Sequence, residues 1–337
     1  MDNTSSFSNL DAKVNTLINQ TSIPEHVRAI VRRKWHELGK QKLNIMVTGG
    51  TGSGKSSTIN AMFNMGSANV VEVATVGTGP DPETMGIVKY EIGNLTLFDS
   101  PGLGDGKEAD IRHARDIIEK LNERDEDGNY LIDVVLVVID GSSRDLGTSF
   151  ELINNVIIPN LGENKEQRIL VAINQADVAM GGRHWDREGN RPDATLEAYL
   201  GNMCESVRRR IYEGTGVDVT PIYYAAGYKE EGGKQERPYN LTKLLCFILE
   251  HIPAKKRLAA TMNANRDPGK WQDNDSQEYS QKCQRLTAEG VTAWMAVGAG
   301  AGAAFGSLFP GIGTVVGTAV GTVLGGAFAF VSPIFNR

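Results

Sequence analysis

The sequence predicts an α/β fold of three layers, a mostly parallel sheet held between helices. Two observations predict it, and a third sets the end of the chain apart. Between residues 41 and 253, short apolar β-type runs alternate with stretches of helical periodicity. The first of those runs leads into a glycine-rich loop that opens a helix. After Glu289 the character changes, and residues 290–336 hold no Asp, Glu, Lys, Arg or His.

Taken in order, residues 1–20 are polar and read as loosely held, with neither the basic start nor the apolar stretch of a secretory signal. Ser22-Ile23-Pro24-Glu25 has the makeup of a capping box. Val27, Ile30, Val31, Trp35 and Leu38 then recur at helical spacing, with Arg28, Arg32, Arg33 and Lys34 between them. Residues 1–40 are thus an N-terminal helical extension, packed on the next domain with a basic face in solvent. An interfacial membrane helix is the alternative.

Within the domain spanning 41–253, strands are expected at 43–47, 87–92, 95–98, 133–139, 168–173 and 219–224. Helices are expected at 55–64, 108–122, 145–157, 195–213 and 240–251. In such a sheet, ligand residues lie just past the C-terminal ends of the strands. Residues 254–290 read as a linker or exposed helical connection, basic at 254–257 and rich in Asn, Asp, Gln and Ser over 261–282. Residues 291–337 form the apolar end of the chain.

The glycine-rich loop is Gly49-Gly50-Thr51-Gly52-Ser53-Gly54-Lys55-Ser56, a full match to G-x-x-x-x-G-K-[ST]. Its glycines let successive backbone N–H groups face phosphate oxygens. Gly50, Thr51, Gly52, Ser53, Gly54 and Ser57 supply that backbone cradle. Lys55 brings a compact positive charge to the β- and γ-phosphates, and Ser56 offers a hydroxyl to Mg²⁺. The phosphates would sit on a helix N-terminus. The loop therefore names a nucleoside triphosphate with Mg²⁺ as ligand.

Asp99-Ser100-Pro101-Gly102 follows the strand Leu95-Thr96-Leu97-Phe98. A carboxylate at Asp99 can hold a water on Mg²⁺, and the Gly102 N–H can meet the γ-phosphate. Gly104 and Gly106 give the next segment freedom to move, as in a switch ordered by the third phosphate.

Asn174-Gln175-Ala176-Asp177 follows the strand ending at Ile173. Asp177 can accept from guanine N1–H and its 2-amino group, a pair of donors that adenine lacks. Asn174 can tie this loop to the phosphate loop. With these three motifs in order, the chain resembles the TRAFAC class of GTPases in its Era-like branch. Residues 43–63, LNIMVTGGTGSGKSSTINAMF, are similar to immunity-related and AIG-type GTPases and to small bacterial Era-like GTPases. The resemblance covers about 41–253 and implies a three-layer P-loop GTPase domain that binds GTP and GDP.

It also implies departures. Most of these families carry Asn-Lys-x-Asp, and Gln175 stands where that Lys would be. The last motif, Ser-Ala-Lys, is at best Ala225-Ala226-Gly227, in which the Ala226 N–H can reach guanine O6. The threonine that closes on Mg²⁺ is Thr84, with Thr78 as the alternative. Leu103 occupies the place of a water-orienting glutamine and cannot hydrogen-bond water. The place of a potassium-binding Asn is Gly52, so potassium activation is not expected. Hydrolysis is then expected to be slow, driven by Lys55 with Thr84 and Mg²⁺. Arg112, Arg115 and Arg144 are candidates for an arginine finger. Family likeness adds a nucleotide-dependent homodimer.

In the charge-free end, two apolar segments, 291–309 and 312–331, flank Pro310-Gly311. As helices they would be about 28 and 30 Å long, enough for a hydrocarbon core of about 30 Å. Gly313, Gly317, Gly321 and Gly325 repeat every fourth residue, and Gly298, Gly302 and Gly306 do the same. Such stripes let helices approach closely in a bilayer. An apolar helical hairpin in a membrane is the first reading, and a hairpin buried against the soluble domain the second. The first places the protein in the cytoplasm, at the cytosolic face of a membrane.

The net charge of −6 argues against a DNA-binding protein. Cys204, Cys246 and Cys283 show neither metal spacing nor a disulfide framework and fit a reducing compartment. The sequence thus points to a guanine-nucleotide switch with slow GTPase activity and membrane association through 291–331. Its rivals are a non-hydrolysing nucleotide-binding scaffold and a nucleotide-gated membrane-damaging effector.

Overall fold

The computed structural model describes residues 11–19 (without 13 and 17), 25–63, 65, 69–72, 86–104, 106–227 and 237–296. The capping box at 22–24, Thr78, Thr84 and the apolar hairpin beyond residue 296 lie outside the described residues. Among the described residues no helix is long and apolar enough to cross a membrane.

Among the described residues, seven strands form one sheet in the order β2-β3-β4-β1-β5-β6-β9. Its strands are β1 (Leu43–Gly49), β2 (Asn69–Glu72), β3 (Val88–Ile92), β4 (Leu95–Asp99), β5 (Val134–Asp140), β6 (Ile169–Asn174) and β9 (Ile222–Tyr223). The pairs β4–β1, β1–β5, β5–β6 and β6–β9 are parallel, while β2 and β3 form an antiparallel edge. The fold is therefore α/β and mostly parallel, as the alternation of runs predicts.

Side chains alternate across this sheet, so each strand feeds two cores. Val134, Leu136 and Val138 of β5 join Leu43, Ile45 and Val47 of β1 on one face. There they pack against α2 (Lys55–Met62), α7 (Leu241–His251) and α8 (Arg257–Met262). Val135, Val137 and Ile139 face the other way with Val171 and Ile173 of β6. That face is covered by α3 (Lys107–Asn122), by α4 (Gly147–Glu151) with its continuation to Asn160, and by α6 (Ala194–Thr215). Continuous apolar β5 and β6 are what a sheet covered on both faces requires.

Several elements differ from expectation. The edge strand β2 pairs Asn69–Glu72 with β3 and was not expected. A four-residue run with one apolar pair carries little alternation to read. The expected strand at 219–224 shortens to Ile222–Tyr223. The expected helix at 145–157 becomes a π-turn over Leu152–Ile157, then a 3₁₀ turn over Ile158–Asn160. Pro159 has no N–H to donate, which breaks the regular ladder there. Trp185–Asp186 (β7) and Arg191–Pro192 (β8) form a small hairpin ahead of α6.

The segment 254–290 is not an exposed connection. Ala259, Ala260, Trp271 and Cys283 are buried in the core against α7, with Tyr279 at its margin. Polar residues between these anchors make the stretch read as a linker, yet they space the anchors so that each reaches the core. The helix α9 (Tyr279–Ala296) crosses the expected boundary at 290 without a break. It packs on α1 (Glu25–Gly39), where the buried Lys34 ammonium donates to the carbonyls of Trp294 and Met295 at 3.2 and 3.0 Å. Trp294 returns a bond from its indole N–H to the Lys34 carbonyl at 3.0 Å.

Candidate functional site: a nucleotide crevice

The parallel strands β1, β4, β5 and β6 end side by side. Register pairs Val47 with Asp99, Gly49 with Val138, and Asp140 with Asn174. All three sequence motifs therefore meet at one sheet edge, where a crevice forms in such folds.

The phosphate loop runs from Gly49 into α2. Its N-cap is Gly54, left-handed at φ 86°, and no side chain caps the first turn. The N–H groups there are available to an anion, and the positive end of the helix dipole favours one. Gly54 is also needed for room, because a Cβ there would stand 2.2 Å from Asn174 Nδ2. The Lys55 ammonium rests on the loop, donating to the Gly50 carbonyl at 3.0 Å.

Behind the loop lies the candidate cation site. Ser56 Oγ donates to Asp99 Oδ2 at 2.8 Å. Asp99 is 8% exposed, and its Oδ1 is buried without a hydrogen-bond partner. Burial pushes the Asp99 carboxyl above the usual range, while the Ser56 hydrogen bond and the Lys55 charge pull it back. An orphaned acceptor beside a serine hydroxyl fits a hard, hydrated divalent cation. Ser53 Oγ is a second buried atom without a partner in this loop.

The base-side loop is fastened to the phosphate loop. Asn174 Nδ2 donates to the Ser53 carbonyl at 2.9 Å, and Gln175 Nε2 donates to the Gly52 carbonyl at 2.7 Å. Gln175 therefore serves as a tie between the two loops. It adopts φ 63°, which turns the chain toward Asp177. One expectation changes. The Ala226 N–H donates to Asn174 Oδ1 at 2.9 Å, so it is engaged within the protein and is not held open for guanine O6.

Leu103 is 7% exposed and packs among Met46, Phe98 and Ile117. Its carbonyl accepts from the Thr51 N–H at 3.0 Å. Gly102 lies so close that a Cβ on it would stand 2.6 Å from Thr51 Cα. Two contacts here come from residues outside the motifs, one from His113 to Gly102 and one joining Thr58 Oγ1 and Tyr224 OH at 2.7 Å. Neither residue stands in a motif, and both are legible only once the elements are packed. Thr84, expected on the cation, lies outside the described residues. Of the arginine-finger candidates, Arg112 and Arg115 are exposed on α3, and Arg144 is exposed after β5.

Residues 44–175 match the family described as 50S ribosome-binding GTPase. This stretch is similar to a P-loop GTPase domain. The match ends at Gln175, before Asp177 and Ala226. No curated protein matches the chain. Among solved structures, the GTP-binding protein engB is 19% identical over 61% of this chain and 97% of its own, with a TM-score of 0.37. The G domain of the T. maritima FeoB iron transporter is 18% identical over 63% and 99%, with a TM-score of 0.33. Toc33 from Arabidopsis thaliana is 17% identical over 67% and 92%, with a TM-score of 0.40. All three are distant likenesses.

Proposed function

We propose that this protein is a guanine-nucleotide switch with slow, Mg²⁺-dependent GTP hydrolysis, associated with a membrane through the apolar part of 291–331 that follows the end of α9 at Ala296. The observation that carries the nucleotide reading is the Ser56–Asp99 pair behind an uncapped helix N-terminus, with Asp99 Oδ1 unpartnered. Lys55 and the loop N–H groups would hold the phosphates. Ser56 would bind Mg²⁺ directly, Asp99 would hold it through water, and Thr84 would join them in the triphosphate state. Bound Mg²⁺ supplies charge neutralisation at the β- and γ-phosphates. Asp177 selects guanine through its paired acceptors.

Slow turnover follows from Leu103, whose buried side chain cannot orient water. The same observation favours a second reading, a nucleotide-binding scaffold without turnover. A second copy of the chain across the nucleotide face could supply the missing group, as could one of Arg112, Arg115 and Arg144.

Phosphate release from GTP by the full chain, with and without anionic vesicles, tests these readings together. It is compared with a chain ending at Ala296, because α9 up to that residue packs on the folded domain. Release that rises with vesicles only in the full chain supports a membrane-coupled GTPase. Tight GTP binding with no release in any condition supports the scaffold. Equal release by both chains and no lipid binding removes the membrane reading.

A further inference from the structure

The buried stripe of α3 is His113, Ile117 and Leu121, at four-residue spacing. Two of these are ordinary core residues. The third is an imidazole, 7% exposed, where an aliphatic side chain would pack at lower cost. Its partner accounts for it, since His113 Nδ1 lies 2.9 Å from the Gly102 carbonyl oxygen. A carbonyl only accepts, so Nδ1 carries the proton and donates.

This bond is one of three that fasten a short peptide. The Leu103 carbonyl accepts from the Thr51 N–H at 3.0 Å. The Gly104 N–H donates to Asp110 Oδ1 at 2.8 Å. Leu103 also bridges Gly50 in parallel pairing. Residues 102–104 are therefore held from one side by the phosphate loop and from the other by His113 and Asp110, both on α3. Gly102 itself has no side chain to fix it, and Gly104 stands at φ 116°, where few other residues go. Without outside partners this peptide would have wide conformational freedom.

We propose that His113 is a positioning residue for recognition of the third phosphate. It fixes the Gly102–Leu103 peptide, which restricts rotation about Gly102, the residue whose N–H lies on the preceding peptide, while Asp110 holds the far end. This rests on the reading of the crevice as a GTP site. The consequence is selective. Diphosphate makes no contact that depends on Gly102, so only triphosphate binding should depend on His113.

The test is equilibrium binding of GDP and of a non-hydrolysable GTP analogue to the full chain with Mg²⁺. His113→Leu preserves the packing of the stripe and removes the donor. The analogue should then bind about tenfold more weakly, the worth of one buried hydrogen bond, while GDP stays within about twofold. His113→Asn places an amide donor near the Nδ1 position and should restore most of the difference. Asp110→Ala, on a less buried residue, should reproduce the selective loss, and it carries the test if His113→Leu fails to fold. Wild-type affinity for the analogue in both His113→Leu and Asp110→Ala overturns the proposal. Equal weakening of both nucleotides overturns it too, by assigning His113 to the fold. A wild-type chain that binds neither nucleotide overturns the GTP reading itself.

Discussion

Asn174 donates from Nδ2 to the Ser53 carbonyl at 2.9 Å, joining the base-side loop to the phosphate loop. Its Oδ1 accepts from the Ala226 N–H at 2.9 Å. The orientation of the amide is fixed by these partners, because the flipped amide would set donor against donor and acceptor against acceptor. Asn174 is 2% exposed, so all of this takes place away from water. Asn174→Ala orphans both the Ser53 carbonyl and the Ala226 N–H. It should weaken GDP and GTP alike by about tenfold or more. Gly54→Ala should abolish binding of both, since its Cβ cannot share space with Asn174 Nδ2. Titration calorimetry checks the pair, with circular dichroism as the control for folding.

Thr58 and Tyr224 couple the first turns of α2 to the strand end before Ala225. Thr58 Oγ1 lies 2.8 Å from the Gly54 carbonyl and spends its one proton there. The fully buried Tyr224 phenol, 2.7 Å away, must therefore donate to Thr58. Thr58→Val strands that phenol without an acceptor and should destabilise by about 1–3 kcal/mol. Tyr224→Phe leaves Thr58 its Gly54 bond and should cost about 1 kcal/mol. Urea denaturation of the two variants separates them, and equal costs would contradict the assigned direction of the bond.

Asp133 binds the turn at 254–256 to the sheet. It accepts from Lys256 Nζ at 2.6 and 2.8 Å and from the Asn44 N–H at 2.9 Å. Burial pushes its carboxyl up from 3.8, outweighing the pull of Lys256. Lys256→Met would leave a nearly buried carboxylate without its counter-charge, held only by the Asn44 N–H, and should destabilise by about 3 kcal/mol at neutral pH. The sign of the pH dependence follows from the raised value. A carboxyl that holds its proton more tightly when folded favours folding while protonated, and that stabilisation is lost as pH rises through the folded value. The variant should therefore recover stability, relative to the wild type, as pH is lowered toward 4. Denaturation midpoints at several pH values check this.

Alkaline pH should weaken the fold from a different set of groups. Burial pushes the Cys204 thiol from 9.0 up to about 12, and the Tyr223 and Tyr279 phenols from 10.0 up to about 12. All three hold their protons more tightly when folded. Stability should be full below pH 9.0 and fall as pH rises toward 12. Cys204→Ala should shrink that fall, as read from urea midpoints at pH 8 to 11.

The local part of this design was legible in the sequence. The loop at 49–56, Asp99 and Asn174 each follow an apolar strand at fixed spacing, and spacing alone places them at one sheet edge. The parallel core was legible for the same reason, because β5 and β6 are apolar on both faces and β1 on one. What escaped depends on contacts far apart in the chain. His113 and Thr58 sit on helices, and nothing near them in sequence names Gly102 or Tyr224 as a partner. The segment 254–290 misled for a related reason, since Trp271, Tyr279 and Cys283 stand singly among polar residues and only packing against α7 shows their depth. The Ala226 N–H was assigned to a base, although its nearest acceptor belongs to Asn174.

That this crevice takes a guanine nucleotide is measured most directly by calorimetric titration of the full chain with Mg²⁺ and GDP, beside ADP and beside Lys55→Ala. The predicted result is saturable one-to-one binding of GDP, with none for ADP and none in the Lys55→Ala variant. Equal binding of ADP, or GDP affinity unchanged without Lys55, would contradict it.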